Sequence, residues 1–141
     1  MIFGKKIGIL GAAKSGISAA RLAVEMGYEV LLSDVDKNKK INPSLEKKIN
    51  VELGYHSNLI LECDIIIVSP GIPPNVPIII NAVNKKIPII SEVEFASWFT
   101  KSQILAVTGS NGKSTSVSIM SEIFLKSKFF SFLGGNIGIP F

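Results

Sequence analysis

The sequence is poor in the residues that most often carry chemistry by themselves. Its 141 residues include one cysteine, Cys63, one histidine, His56, and one tryptophan, Trp98. One cysteine cannot close an internal disulfide, so nothing points to an oxidising compartment. One cysteine and one histidine cannot make up a His/Cys metal site. Cys63 precedes the apolar run 65–68 and reads as a small core residue, with no base in view to activate it. His56 follows Tyr55 in a turn-like stretch. No apolar run approaches the roughly 18 residues of a spanning helix. Lys5-Lys6 ahead of residues 7–13 faintly resembles a signal peptide, but Gly8 and Gly11 dilute the run and Lys14 cuts it short. A cytoplasmic location without a membrane partner is therefore expected. Charge is also sparse, at 18% of residues with a formal net charge of +4. The lysines are scattered or in short pairs with no interleaved aromatics, so they read as solvated surface rather than a nucleic-acid footprint. Internal repeats and low-complexity tracts are absent.

What is present is apolar and α/β in pattern. Hydrophobic residues make up 47% of a chain long enough for one domain, or one domain and part of another. Residues 6–10 read as a short buried strand, and Gly11-Ala12-Ala13-Lys14-Ser15-Gly16 follows. Residues 17–26 are Ala-rich and helical, with Gly27 as their stop. Residues 29–33 form the next apolar run, closed by Asp34. A glycine turn, a helix N-terminus and an acid roughly twenty positions on outline a nucleotide-binding βαβ unit. The glycine pattern is degraded, with Ala13 in the middle position, so three readings stand: a nicotinamide dinucleotide site, a uridine nucleotide site, or a turn shaped only by packing.

Further along, 36–48 is a charged surface loop with a short helix around 44–48. Residues 51–53 are a candidate strand, and 58–62 are too short to assign. Residues 65–68 form a continuous β-branched run of the kind buried on both faces of a parallel sheet. The run ends in Ser69-Pro70-Gly71, a turn at a strand's carboxyl end, where open α/β sheets bind ligands. A helix over 78–86, a strand over 87–90 and a helix capped by Ser91 with Glu94 complete the series. This predicts a Rossmann-like, doubly wound parallel sheet over residues 1–99. Lys101-Ser102 is the only boundary signal. A second α/β unit then begins, with a strand over 104–108, a helix over 114–126 and a second strand over 129–133. It cannot bury its sheet faces alone and reads as the truncated start of a P-loop ATPase-type domain over 100–141.

Within that second unit, Thr108-Gly109-Ser110-Asn111-Gly112-Lys113-Ser114-Thr115 joins the apolar run to the helical pattern. Glycines turn backbone N–H groups toward an anion, and a new helix adds its unpaired N–H groups and the positive end of its dipole. Lys113 can bridge terminal phosphates, and Ser114 can offer a hydroxyl to Mg²⁺. The standard Walker A spacing would put its first glycine at Val107, so this loop is two residues tighter. A plain strand-to-helix turn with a solvated lysine is the simpler alternative.

This tight loop resembles the ATP loop of the Mur ligase family, the amino-acid-adding enzymes of peptidoglycan synthesis. Gly134-Gly135-Asn136-Ile137-Gly138-Ile139-Pro140 resembles the member that adds D-glutamate to UDP-N-acetylmuramoyl-L-alanine. The other motifs occur in the family's order: residues 11–16, Asp34, Ser69-Pro70-Gly71-Ile72-Pro73 and Ser91-Glu92-Val93-Glu94. The resemblance covers the whole chain as the front portion of a longer enzyme. It implies that Lys14, Ser15, Asp34, Gly71 and Asn136 lie near the UDP-muramoyl substrate. It implies that Gly109, Ser110, Asn111, Gly112, Lys113, Ser114 and Thr115 hold ATP, with Lys113 catalytic on the phosphates and Ser114 on Mg²⁺. Val35 and Asp36 depart from the small polar and basic residues usual after the acid. The reaction implied is ATP-dependent amide formation through an acyl phosphate, by a monomeric full-length enzyme on small-molecule substrates. The family's further metal ligands, its modified lysine and its amino-acid domain would lie beyond Phe141, so the chain alone is expected to be inactive.

The competing readings are an NAD(P)-binding oxidoreductase, a nucleotide-binding module without chemistry, and another ligase with a T-G-x-N-G-K loop such as a folylpolyglutamate synthase. The first leaves residues 109–115 unexplained. The last lacks the 134–140 pattern.

Overall fold

The computed structural model describes residues 4–135. The chain divides into two compact units, Met1–Phe99 and Thr100–Phe141.

The first unit is built on a five-stranded sheet in the order β3-β2-β1-β4-β5. Its strands are β1 (Lys6–Leu10), β2 (Glu29–Asp34), β3 (Asn50–Leu53), β4 (Ile65–Val68) and β5 (Ile89–Ser91), and every pairing is parallel. Alternation along the strands sorts side chains into two cores. Ile7, Ile9, Val30, Leu32, Ile65 and Ile67 face one side, packed with Ala19, Ala20 and Ala23 of α1 (Lys14–Glu25) and Phe95 of α4 (Glu92–Ser97). Leu10, Leu31 and Ile66 face the other, against Ile78, Ile79 and Ala82 of α3 (Pro77–Asn84) and Ile60 of a 3-10 helix, Asn58–Glu62. The alanines of α1 let it lie close on the sheet. A short α2 (Pro43–Glu46), capped by Asn42 on the Ser44 N–H, contributes Leu45 to the first core.

The chain runs outward through β1, β2 and β3, then returns to β4 beside β1. The sheet therefore has a switch point between β1 and β4, where adjacent strands feed connections to opposite faces. Ser91 caps α4 by accepting the Glu94 N–H at 3.1 Å, as its spacing predicts. Phe95 stacks edge-on against Tyr28, Trp98 and Phe99, so Trp98 belongs to the aromatic packing of this face. Cys63 is buried in the second core, and burial pushes its thiol up to about 11.

The second unit contains α5 (Lys113–Lys126), one residue longer at its start than the pattern predicts. Two expectations fail here. Residues 104–108 and 129–133 are not strands. Apolar, β-branched composition gives a segment the propensity for a strand, but a strand exists only when a neighbour takes up its N–H and C=O groups, and no described strand pairs with either. On α5, Met120 and Phe124 are half-buried, while Ile119 and Ile123, expected on the same face, are exposed.

Candidate functional site

At the carboxyl edge of the first sheet, one row of residues lies at the end of the ladder: Gly11 just after β1, Asp34 ending β2 and Ser69 just after β4. Gly11 donates its N–H to the Ser33 carbonyl at 2.8 Å, and Ser69 donates to Leu10 at 3.0 Å, so the row continues the sheet by one step. Gly11 has φ +101, a region that favours glycine, and a Cβ there would lie 2.8 Å from Ser69 Oγ. Gly16, in the first turn of α1, presses on the same turn so closely that a Cβ would overlap the Gly11 carbonyl oxygen. The degraded glycine motif thus keeps the two glycines that the packing demands. Ala13, at the position that departs from the motif, is exposed.

Asp34 joins two loops through its carboxylate. Its Oδ2 accepts the Ala12 N–H at 2.7 Å and its Oδ1 accepts the Asp36 N–H at 2.8 Å. A carboxylate offers about four acceptor positions, so these bonds orient the group and leave capacity for a ligand hydroxyl or N–H. Beside it, α1 begins at Lys14 without a capping side chain and without an acid in its first turn. The N–H groups of this turn have no partner inside the helix, which makes the end electropositive. Lys14 is exposed and Ser15 half-exposed on this turn. Gly71 sits exposed in the turn after β4, closed by the Ile72 N–H on the Ser69 carbonyl at 3.1 Å. The edge therefore brings Lys14, Ser15, Asp34 and Gly71 to one end of one sheet.

The sequence pointed to the Ser69-Pro70-Gly71 turn but not to the burial of the Ser69 hydroxyl, nor to a second feature behind Asp34. Ser69 is 6% exposed, and its hydroxyl has no hydrogen-bond partner among the described residues. A buried hydroxyl without a partner is uncommon, and this one lies against the glycine turn at the switch point. The second is a polar cluster behind Asp34, formed by Ser33, Glu52, His56 and Ser57. Burial holds the His56 imidazole below its usual range, against the opposite pull of the Asp34 and Glu52 carboxylates. The available signal was a polar residue on a buried strand: Ser33 follows three apolar residues, and Glu52 sits between Val51 and Leu53.

In the second unit, α5 starts after Gly112, which has φ +77 and no capping side chain, and its first turn also lacks acids. The Lys113 ammonium folds back onto the carbonyl oxygens of Gly109 and Ser110, the second at 3.3 Å. Ser110, Asn111, Gly112, Ser114 and Thr115 are exposed around it. The loop thus presents free helix N–H groups and a cation on one turn, a fit for a polyphosphate. Ser114 offers a single hydroxyl, and among the described residues no group of three or more His, Cys, Asp or Glu side chains could hold a metal ion. A divalent ion here would take most of its oxygens from phosphate and water, as Mg²⁺ commonly does. Asn136 and most of residues 134–140 lie outside the described residues. Among the described residues no helix is long and apolar enough to cross a membrane.

Fold and edge geometry together define a doubly wound, parallel α/β unit whose loops gather polar groups at the carboxyl edge of its sheet. Comparison with known proteins narrows this. The Mur ligase MurD-like N-terminal domain family matches over residues 5–91, and the chain belongs to that family. The match sets aside the oxidoreductase reading of the glycine turn. The UDP-N-acetylmuramoylalanine–D-glutamate ligase of Elusimicrobium minutum is 48% identical over 97% of this chain, and that of Christiangramia forsetii is 41% identical over 96%. The chain spans 32% and 31% of the lengths of these two relatives. Among solved structures, a murein peptide ligase from Psychrobacter arcticus superposes with a TM-score of 0.62 at 25% identity, covering 88% of this chain and 27% of that one. A UDP-N-acetylmuramate-alanine ligase from Thermotoga maritima shares the fold, with a TM-score of 0.57 at 23% identity, covering 87% of this chain and 30% of that one.

Proposed function

We propose that this chain is the N-terminal part of an ATP-dependent, ADP-forming ligase that joins D-glutamate to UDP-N-acetylmuramoyl-L-alanine in peptidoglycan synthesis. The observation that carries this reading is the extent of the likeness to D-glutamate ligases. It runs over 97% of the chain and so takes in both the Asp34 edge and the Lys113 loop.

In this reading the first unit holds the UDP portion of the substrate. Asp34 accepts from a sugar hydroxyl or base N–H with the carboxylate already oriented by Ala12 and Asp36. Lys14 and Ser15 meet the diphosphate at the start of α1, and Gly71 lets backbone approach the ligand. Asn136 completes the set. In the second unit Gly109, Ser110, Asn111 and Gly112 wrap the ATP phosphates, with Ser114 on Mg²⁺ and Thr115 beside it. ATP supplies the phosphoryl group that activates the L-alanyl carboxylate toward the D-glutamate amine. Phosphoryl transfer asks the protein mainly for positioning and charge neutralisation. Lys113 does the latter when it exchanges the Gly109 and Ser110 carbonyls for phosphate oxygens. The substrates are small molecules, and the full-length enzyme works as a cytoplasmic monomer.

Calorimetric titration of the 141-residue chain with UDP-N-acetylmuramoyl-L-alanine and, separately, NAD tests the assignment of the first unit. Binding of the UDP ligand that Asp34→Ala weakens is the expected result. Binding of NAD alone would overturn it.

A further inference from the structure

The cluster behind Asp34 contains a serine, a histidine and a glutamate, a set that elsewhere makes a nucleophile. Here it cannot, because Ser33 is fully buried and no reactant reaches its hydroxyl. Its Oγ lies 2.7 Å from His56 Nδ1, 3.2 Å from the Tyr55 carbonyl oxygen and 3.4 Å from Glu52 Oε2. Glu52, 8% exposed, accepts the Ser57 hydroxyl at 2.5 Å and the Ser57 N–H at 3.2 Å. Among the described residues the one ion pair is Lys39–Asp36, so Glu52 is held by neutral donors alone. The same turn reaches the strand end a second time, through the Gly54 N–H on the Asp34 carbonyl at 2.8 Å.

Donor arithmetic assigns the histidine's part. The Ser33 hydroxyl has one proton and three neighbours. The Tyr55 carbonyl and the Glu52 carboxylate can only accept, and only His56 can take either role, according to its tautomer. If His56 carries its proton on Nε2, Ser33 must donate to Nδ1 and cannot also supply the carbonyl or the carboxylate. If the proton is on Nδ1, His56 donates to Ser33, and Ser33 donates onward to Tyr55 or Glu52. Only the second arrangement leaves Ser33 both receiving and giving a bond, and buried polar groups overwhelmingly find such partners.

We propose that His56 is a positioning residue for the Asp34 site: as an Nδ1–H donor it locks Ser33 to the turn around Tyr55 and thereby fixes the end of β2, so that the Asp34 carboxylate stays seated on the Ala12 amide and ready for a nucleotide hydroxyl or N–H. The ligand part of this statement rests on the proposed function. The positioning part does not.

The ¹⁵N-labelled 141-residue chain tests both parts by NMR, with UDP as the probe. The imidazole nitrogens should show the Nδ1–H tautomer. In His56→Ala without ligand, the Ala12 and Asp36 amide resonances should move, and UDP affinity should fall about tenfold, as expected for loss of one organising hydrogen bond. His56→Asn places an amide donor near the former Nδ1 and should restore both readouts. A merely structural role would not give this rescue together with an unchanged spectrum for β4. If His56→Ala does not fold, Ser33→Ala, which removes the hydroxyl between turn and strand, should move the same two amides. An Nε2–H tautomer, or Ala12 and Asp36 amides left in place by folded His56→Ala or Ser33→Ala, would overturn the proposal. Absence of UDP binding to the unmodified chain would instead refute the nucleotide reading of Asp34, with the tautomer and the amides still deciding the positioning role.

Discussion

The two units share a local plan, a glycine-containing loop that runs into a helix N-terminus, and place it in opposite surroundings. In the first, the loop is wedged. Gly11 lies against Ser69, Gly16 lies against the Gly11 carbonyl, and α1 buries Gly16, Ala19, Ala20 and Ala23. In the second, a Cβ on Gly112 would meet nothing within 4 Å, and α5 has no buried residue. Glycine is thus required for two different reasons. At Gly16 it is room, because the helix must approach the strand end. At Gly112 it is conformation, because φ is +77 where the helix begins. A glycine turn leading into a helix can be held in shape by the packing behind it or by its own backbone, and this chain contains one of each.

The largest expected effect separates those reasons. Gly16→Ala should cost the first unit about 3 kcal/mol or more, since the new methyl overlaps backbone that cannot easily give. Gly112→Ala should cost about 1 kcal/mol of local strain and leave the first unit's unfolding unchanged. Trp98, the only tryptophan, lies in the first unit and reports its denaturant unfolding by fluorescence. Equal midpoints for the two variants would break the comparison.

Hydrogen exchange sharpens it residue by residue. The amides of β4 are laddered between β1 and β5 and should be protected by a factor on the order of 10³ or more in the 141-residue chain. Those of residues 104–107 have no described ladder partner and should exchange near their intrinsic rates. Comparable slow exchange in both would show that the second apolar run has found a partner.

That contrast also marks what could be read from the residues. Strands β1, β2 and β4 were legible because their apolar runs are short and bounded, and that of β4 is β-branched throughout. Residues 104–108 show the same pattern and are not a strand, because pairing is a property of the neighbour and not of the segment. The 3-10 helix Asn58–Glu62 was not legible, since five residues hold too little of any period. It nonetheless explains Gly8, whose Cβ would lie 2.7 Å from the Ile60 side chain. At the edge, Asp34 stood out as an acid closing an apolar run. The bonds that orient it did not, nor did the cluster behind it, because its partners lie on different elements. Parallel register joins them, with Ser33 opposite Glu52 across β2 and β3.

A middle-sized effect concerns ligands. Asp34→Ala should weaken the UDP substrate by about 1–3 kcal/mol, roughly tenfold to over a hundredfold, and leave ATP affinity unchanged. Lys113→Ala should weaken ATP and leave the UDP substrate alone, and in the full-length enzyme it should also lower the catalysed rate, because charge on the phosphates changes most during transfer. Calorimetry on both variants decides this. Loss of ATP affinity in Asp34→Ala would mean that the two loops do not divide the nucleotides as proposed.

The smallest expected effect is in pH, and it falls on one unit alone because the single histidine, His56, belongs to the first. Burial lowers its folded-state affinity for a proton, with Asp34 and Glu52 only partly offsetting this. Between that depressed value and the ordinary imidazole value of about 6.5, the unfolded chain binds a proton that the folded unit does not. The contribution of His56 to stability is therefore complete above about pH 6.5, declines as pH falls through this window, and is gone below the folded value. Thermal melts followed at Trp98 should show the decline as a small fall in melting temperature as the pH drops through this window. His56→Asn keeps a donor for Ser33 but cannot titrate, so its melting temperature should be flat across the same window. The helicity of α5 should not respond in either protein. A melting temperature of the unmodified chain that rises as pH drops below 6.5 would mean that the carboxylates, and not burial, dominate the environment of His56.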